Sequence, residues 1–337
     1  MYKRQPLTIA YADPDQLLTW SADARSRRRF SALGEHIGLL VDAQAFGDAR
    51  LAPQLAAWLR ELPCPSIAIA SDANALSAAC DTRLGDPSLA APLIATIEQA
   101  PVAASVLVQL LRVIEHATID AALTTESLAY ASLQAGPEFL AWQRSHEPEA
   151  TPADPGPPVL IKRKDDALRL RLNRPSRRNA MTVEMREALC EALELVLMDS
   201  GIRHLVIAAA GKCFSTGGDP DEFGTAPDPA SAHLIRSLSL PGRLLAACSA
   251  RTRVEIHGAC IGSGIEFPAF AAQIRARPGS YFQLPELRYG LIPGAGGCVS
   301  ISRRIGRQRT AWMALSGQRV KVHQALEWGL VDALWFD

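Results

Sequence analysis

Several features that mark specialised classes of protein are missing from this sequence. Its 337 residues contain 35 Lys and Arg against 35 Asp and Glu, and the charges are scattered, so there is no basic surface for nucleic acid. No run of 18 apolar residues occurs, and the longest candidate, residues 89–111, is broken by Glu98 and Gln99. We therefore expect neither a nucleic-acid partner nor a membrane partner.

The seven cysteines are odd in number and form no CxxC pair. A disulfide framework and a zinc site are therefore not expected, and free thiols favour a reducing compartment. With 48% apolar and 21% charged residues, the composition is that of an ordinary globular chain. The sequence predicts a cytoplasmic α/β protein without a metal site.

Glycine is scarce in the first part of the chain: only Gly85 and Gly136 occur between Gly47 and Gly156. Glycine-rich turns let backbone N–H groups approach a ligand closely. A segment without such turns is not expected to bind a ligand through its backbone, so the chemistry is expected in the remaining part.

A proline-rich stretch, residues 147–158, divides the chain. It holds five prolines in twelve residues and no large apolar side chain, a composition typical of a semi-rigid linker. The segment before it, 1–146, is predicted to be mostly helical, with short strands at 37–43 and 66–70 and a helix near 51–62. The segment after it, 159–337, is predicted to be the catalytic core.

The C-terminal segment alternates strand and helix patterns. Residues 167–172 alternate apolar and charged side chains, and 204–210 and 253–257 are short apolar runs, all typical of strands. Residues 182–197 have apolar side chains at helical spacing, with Thr182 as a candidate N-cap. Strands alternating with helices predict an α/β core rather than a helical bundle.

Three glycine-containing stretches follow in this segment, at 211–219, 257–266 and 284–297. Two glycine turns at strand ends can direct two backbone N–H groups into one pocket, as an oxyanion hole requires. The alternative is that they are ordinary tight turns. None of them fits the phosphate-binding glycine patterns with their companion residues.

The order and spacing of these stretches resemble the crotonase superfamily, and within it the enoyl-CoA hydratases, over about residues 159–334. The motifs are LNRPSRRNAM at 172–181, FSTGGD at 214–219, GSGIE at 262–266, FQLPELRYGLIPGAGG at 282–297, LSGQRV at 315–320 and the Ala325, Gly329, Leu330 and Val331 ending. The resemblance implies a crotonase-like ββα spiral core.

The resemblance also implies a reaction and its residues. The backbone N–H groups of Gly218 and Ser263 would polarise a CoA thioester carbonyl, as donors to the oxygen on which enolate charge develops. Glu266 would act as base toward a water molecule, and Glu286 would deliver a proton to the α-carbon. The implied function is that of a lyase that hydrates a 2-enoyl-CoA.

Further site residues come from the same resemblance. Positions that would contact coenzyme A or the substrate are Arg177, Arg178, Ala180, Gly217, Asp219, Gly262 and Gly264. Coenzyme A would enter as part of the substrate, with no separate cofactor, and the chain would form a homo-oligomer, a trimer or a hexamer. The context would be fatty acid metabolism.

Alternatives stay open at this point. Glu266 would be a helix first-turn acid and Glu286 a surface turn residue if neither were catalytic. Other crotonase reactions are isomerisation of an enoyl-CoA, hydrolysis of an acyl-CoA thioester and cofactor-free oxygenation, and a CoA-binding protein without turnover is a further option. The family usually has glycine where Ser263 stands, so substrate fit is expected to differ.

Family members continue with further helices after the point where this sequence stops, at Asp337. Residues 91–146 resemble those helices, from Gln99-Ala-Pro101 through the helix with Glu126 to Gly136–Leu140. We therefore interpret residues 1–146 as a degenerate crotonase half that covers the core, and expect Leu107, Leu111, Leu128 and Phe139 to pack on it. A generic helical cap and a shortened gene are the alternatives.

Overall fold

The computed structural model describes residues 8–44, 52–150 and 153–336. Predicted features at residues 51 and 151–152, the start of one helix and the centre of the linker, lie outside the described residues. The strands are β1 (Thr8–Ala12), β2 (His36–Asp42), β3 (Ser66–Ile69), β4 (Thr82–Leu84), β5 (Val159–Lys164), β6 (Ala167–Leu172), β7 (His204–Ala209), β8 (Thr252–Ile256), β9 (Ala259–Ile261), β10 (Gln273–Ala276), β11 (Tyr281–Gln283), β12 (Val320–Lys321) and β13 (Ala333–Leu334).

Helices separate most of these strands. They are α1 (Pro14–Ala22), α2 (Ala52–Glu61), α3 (Ala75–Ala79), α4 (Ala91–Gln99), α5 (Pro101–Ile114), α6 (Ile119–Gln134), α7 (Pro137–Ser145), α8 (Val183–Met198), α9 (Pro229–Leu238), α10 (Pro241–Ala247), α11 (Ser263–Glu266), α12 (Gly297–Ile305), α13 (Arg307–Ser316) and α14 (Val322–Trp328).

The N-terminal half contains more sheet than its sequence predicts. Strands β1 to β4 form a parallel sheet in that order, followed by the helical run α4 to α7. Helical residues still predominate among those described before the linker, and the predicted strands at 37–43 and 66–70 and the predicted helix near 51–62 correspond to β2, β3 and α2. β1 and β4 were not predicted, because each is short and lacks a clear alternation of apolar and polar residues.

The C-terminal half is built on two sheets. The larger has the order β13-β10-β8-β7-β6-β5, parallel except for the β5–β6 hairpin. The smaller has the order β12-β11-β9. The predicted strand 167–172 and the helix after it are confirmed, and the Thr182 hydroxyl caps α8 by accepting the N–H of Met185 at 3.1 Å.

One hydrophobic core joins the two halves. Buried residues from α4 to α7 and from α8 to α14 belong to the same apolar cluster, which includes Leu107, Leu111 and Phe139. Phe139 lies against Gly290, where an added Cβ would come within 2.5 Å of the Phe139 nitrogen. The expectation for Leu128 is wrong, because its position on α6 turns it to solvent and leaves it 52% exposed.

A buried ion cluster also connects the halves. Asp81, 1% exposed, accepts hydrogen bonds from Arg112 on α5 and, at 3.2 Å, from Arg307 at the start of α13. The Asp81 carboxylate also accepts the N–H and hydroxyl of Ser66. Buried charges are tolerated when they are paired and hydrogen-bonded in this way, so Asp81 fixes the contact between the N-terminal sheet and α13.

Of the described helices, none is by itself long and apolar enough to cross a bilayer, whereas the bent pair formed by residues 87–99 and 101–114 meets the length and composition criterion when taken together.

Candidate active site

Two glycine turns of the C-terminal half border one cavity of about 400 Å³. The first follows β7 and contains Gly218, and the second follows β9 and leads through Gly262 into Ser263, the first residue of α11. Within the described part of the chain, neither the Gly218 nor the Ser263 N–H donates to a protein acceptor. Two backbone donors without a protein partner are therefore available at this cavity, as an oxyanion hole requires.

Glycine is required at the turn into α11. Gly262 has φ +50°, and a Cβ at this position would lie 2.5 Å from Oε1 of Glu286. Both the left-handed backbone and the close approach of a carboxylate exclude a larger residue. This glycine therefore brings the Ser263 amide and Glu286 to the same place.

Glu266, on α11, is 2% exposed and borders the cavity. Its Oε2 accepts the N–H groups of Ala295 at 2.7 Å and Gly297 at 3.0 Å. Burial raises the pKa of Glu266 to about 7, although these two N–H donors favour the ionised form. A carboxyl with a pKa near neutrality is suited to act as a general base.

Glu286 borders the same cavity, and its Oε2 is buried without a hydrogen-bond partner in the described structure. Burial, and then the negative charge of Glu266, raise the pKa of Glu286 well above its usual range. Both causes favour the protonated form of Glu286, and its buried Oε2 shows that it is not a solvated turn residue. The different surroundings of Glu266 and Glu286 therefore suit Glu266 to act as the base and Glu286 as the acid.

A third buried carboxyl comes from the N-terminal half. Glu126 on α6 is 1% exposed and accepts the N–H groups of Gly296 at 2.7 Å and Cys298 at 2.9 Å. Burial, followed by the charge of Glu266, raises the pKa of Glu126 to about 8. The N–H groups of four consecutive residues, 295–298, therefore donate alternately to Glu266 and Glu126, so both carboxyls position this turn.

The other predicted substrate contacts are divided. Asp219 borders the cavity, whereas the remaining positions do not, namely Arg177, Arg178, Ala180, Gly217, Gly262 and Gly264. Arg177 reaches the cavity edge only through its ion pair with Asp219, at 3.0 Å. Arg178 is exposed in a left-handed turn, φ +53°, and Ala180 is buried. Their contact with coenzyme A stays a prediction.

Thiols and metal ligands add no further chemistry to this cavity. Cys213 and Cys260 are buried, free thiols with pKa values raised by burial, as expected for packing residues. No cluster of three or more His, Cys, Asp or Glu side chains able to hold a metal ion occurs within residues 8–44, 52–150 and 153–336.

Three residues at or behind this cavity were not predicted as site residues: Glu126, Tyr130 and Arg236. A signal for Glu126 exists in the sequence, because it lies on the apolar stripe of α6 with Ala122, Leu123 and Tyr130. A lone acid on a buried face needs a partner there. Arg236 gives no comparable signal, because α9 has charged and apolar residues in an ordinary amphipathic pattern.

Comparison with known proteins identifies relatives of this arrangement. The family model described as "Enoyl-CoA hydratase/isomerase" matches residues 163–335. A 2,3-dehydroadipyl-CoA hydratase from Escherichia coli (strain K12) is 31% identical, covering 52% of this chain and 68% of the relative. A 1,2-epoxyphenylacetyl-CoA isomerase from the same organism is 32% identical, covering 51% and 68%. A solved enoyl-CoA hydratase from Thermoplasma volcanium GSS1 is 29% identical, covering 54% of this chain and 73% of that one, with a TM-score of 0.48.

Proposed function

Because this chain belongs to the enoyl-CoA hydratase/isomerase family of the crotonase superfamily, we propose that it is a lyase that adds water to a 2-enoyl-CoA thioester. The observation that carries the proposal is the pairing of two cavity-facing carboxyls, Glu266 and Glu286, beside two unpartnered backbone amides. Hydration needs one base, one acid and a stabilised enolate, and these groups supply all three.

The oxyanion hole activates the substrate. The thioester carbonyl oxygen accepts the N–H groups of Gly218 and Ser263, which draws electrons from the conjugated double bond toward that oxygen. Fixed donors in a cavity that excludes water stabilise the developing charge, and the loss of one donor costs about 3–4 kcal/mol of transition-state stabilisation.

The two carboxyls then move protons in opposite directions. Glu266 accepts a proton from water as the water oxygen bonds to the β-carbon, and protonated Glu286 gives its proton to the α-carbon. Exchange of one proton from Glu266 to Glu286 restores the starting state. The higher pKa of Glu286 suits the donor, and the pKa of about 7 for Glu266 suits the acceptor.

The remaining features of the proposal follow from the family. Coenzyme A is part of the substrate and no separate cofactor takes part. The chain assembles as a homo-oligomer, a trimer or hexamer, and works in the cytoplasm on acyl-CoA thioesters of fatty acid metabolism. In this proposal Arg177, which pairs with Asp219 at 3.0 Å, and Arg178, which follows it in a left-handed conformation, contact the coenzyme A phosphates.

The test is the loss of enoyl absorbance when the full chain is mixed with crotonyl-CoA. We expect Glu266→Gln and Glu286→Gln each to lower kcat by at least ~10²-fold, the usual contribution of a general acid or base. The matched control is Glu184→Gln, on the exposed face of α8, where the carboxyl pairs with Arg174 instead of bordering the cavity. Activity within threefold of the unaltered enzyme in either site variant would contradict hydration.

A second candidate reaction is double-bond isomerisation, which uses the same two carboxyls to move one proton between carbons. The matching family model is described as covering isomerases as well as hydratases, which supports this candidate. A 3-enoyl-CoA substrate separates the two reactions, because isomerisation gives a 2-enoyl-CoA of the same mass, whereas hydration of a 2-enoyl-CoA adds the mass of water.

A further inference from the structure

The cavity contains a cation without a carboxylate partner. Arg236, on α9, borders the same cavity as Gly218, Ser263 and the two catalytic carboxyls. Its guanidinium lies over the ring of Tyr130, 4.0 Å from the ring centroid. Its Nη1 makes a long hydrogen bond, 3.5 Å, to the carbonyl oxygen of Ala232 in its own helix.

No acidic side chain among the described residues comes within 4 Å of this guanidinium. Arg186, the other arginine at the cavity, donates to Glu187 at 2.7 Å. The nearby carboxyls of Glu126 and Glu266 attract Arg236 from a distance, but both oxygens of Glu126 and Oε2 of Glu266 already accept backbone N–H groups. Burial lowers the pKa of Arg236, so the folded protein holds this charge at a cost.

The rest of the cavity wall near Arg236 is largely apolar. Ile235, Leu240 and Phe267 border it, together with the Tyr130 ring on which the guanidinium rests. An arginine whose guanidinium lies over an aromatic ring can still donate N–H groups to a planar, two-oxygen acceptor. An apolar pocket with one such donor group fits a hydrocarbon chain that bears a carboxylate.

We propose that the acyl group of the substrate carries a carboxylate, which pairs with Arg236 inside the cavity. This inference rests on the proposed function in that it assumes an acyl-CoA substrate, but it needs no turnover. A phosphate of coenzyme A is the other source of a two-oxygen anion, and the experiment separates it from the acyl carboxylate.

The experiment measures binding of saturated thioesters by calorimetry, so that hydration does not interfere. Succinyl-, glutaryl- and adipyl-CoA are compared with butyryl-, valeryl- and hexanoyl-CoA, first on the unaltered chain and then on Arg236→Met and Arg236→Lys. We expect at least one carboxylated thioester to bind about ten- to a hundredfold more tightly than its methyl-ended counterpart, the range for a hydrogen bond between charged groups.

Arg236→Met should abolish this preference while leaving the binding of methyl-ended thioesters within about threefold, and Arg236→Lys should keep part of it. Leu238 lies on the same helix and is 84% exposed, so Leu238→Gln is the matched control. This substitution should change the binding of neither series. The same pairs made as pantetheine thioesters, which lack the nucleotide phosphates, should show the same preference.

Three results would overturn the inference. Equal binding of both series by the unaltered chain would show that the protein binds acyl-CoA thioesters without recognising a carboxylate on the acyl group. Equal weakening of both series by Arg236→Met, absent from the pantetheine thioesters, would assign Arg236 to a coenzyme A phosphate. Equal weakening that persists in the pantetheine series would mean that Arg236 only balances the buried glutamates. Failure of every thioester to bind would instead contradict the proposed function itself.

Discussion

The two halves of this chain differ in the residue that caps the start of a short helix. In each half a short helix follows a strand and leads to a further parallel strand: α3 precedes β4, and α11 precedes β10. At α3 a capping box satisfies the first amides, because the Asn74 side chain accepts the Ser77 N–H and the Ser77 hydroxyl accepts the Asn74 N–H. At α11 the cap is Gly262, which has no side chain to accept an N–H of the first turn, and the N–H of the next residue, Ser263, has no protein acceptor in the described structure.

The difference shows how much stabilisation the turn at Gly262 lacks because it has no capping side chain. An Asn cap is more favourable than a glycine cap by a few tenths of a kcal/mol, and the turn at Gly262 forgoes that gain. The turn into α11 borders the cavity through Ser263, whereas no residue of the turn into α3 borders it. The N-terminal half contributes side chains instead, with Tyr130 on the cavity wall and Glu126 behind the 295–298 turn.

The largest effect is expected when the halves are separated. Residues 159–337 expressed alone should be insoluble or inactive, because the apolar surface now covered by α4 to α7 would face water and the amides of Gly296 and Cys298 would lose Glu126. Solubility and turnover of crotonyl-CoA are the measurements. A soluble, active fragment would show that the N-terminal half is an independent appendage.

The next effect contrasts the two turns directly. Gly218→Pro removes one of the two oxyanion donors and should lower kcat at least ~10²-fold. Asn74→Gly uncaps α3 in the N-terminal half and should leave kcat unchanged, with a loss of only a few tenths of a kcal/mol in the free energy of unfolding. Comparable kcat losses in the two variants would contradict the division of roles.

A third effect concerns the ion cluster that joins the halves. Asp81→Asn leaves Arg112 without its negative partner in a buried place and leaves Arg307 with Glu115 alone, at 3.3 Å, and should lower the free energy of unfolding by about 3 kcal/mol. Denaturant unfolding measures this loss. The kcat of the folded variant should stay within twofold, because no member of the cluster borders the cavity.

The smallest effect is expected at Ser263. Its hydroxyl is buried without a hydrogen-bond partner in the described structure, while the oxyanion donor assigned to this residue is its backbone N–H. Ser263→Gly should therefore keep kcat within about threefold, measured with crotonyl-CoA. An inactive variant would mean that the hydroxyl takes part in the chemistry and would favour another crotonase reaction.

Sequence predicted the C-terminal half well because its signals are local. The alternation at 167–172 and the Thr182 cap depend on neighbouring residues, and the glycine motifs marked the turns in which Gly218 and Ser263 lie. What sequence reasoning missed depends on distant contacts. Glu126 meets the 295–298 turn across 170 positions of chain, and the lack of an acid partner for Arg236 is visible only in three dimensions.

Leu128 is a case in which the sequence predicted a contact that the structure does not have. It was expected to pack on the core because α6 is rich in apolar residues, yet it lies on the solvent face of that helix. Polar and apolar residues are mixed around α6, which leaves its buried face ambiguous, and the packing of α6 on α9 and α12 decides which residues are covered.

The central claim is that both halves build one site, and Glu126 tests it. Glu126→Gln keeps the size of the side chain but leaves one of the two amides, of Gly296 or Cys298, without an acceptor, which should cost about 1–3 kcal/mol of stability. Because the folded pKa of Glu126 is raised to about 8, its carboxyl contributes most to stability at low pH and loses that contribution as pH rises toward 8. The stability gap between this variant and the unaltered chain should therefore narrow between about pH 5 and pH 8.

The most direct measurement is the pH profile of kcat/KM for hydration by the unaltered chain and by Glu126→Gln. Its acid limb reports deprotonation of Glu266 and its basic limb deprotonation of Glu286. Glu126 is one of the negative charges that raise the pKa of Glu286, so the variant should move the basic limb to lower pH. A profile with both limbs unmoved would contradict the claim that the N-terminal half is part of the site.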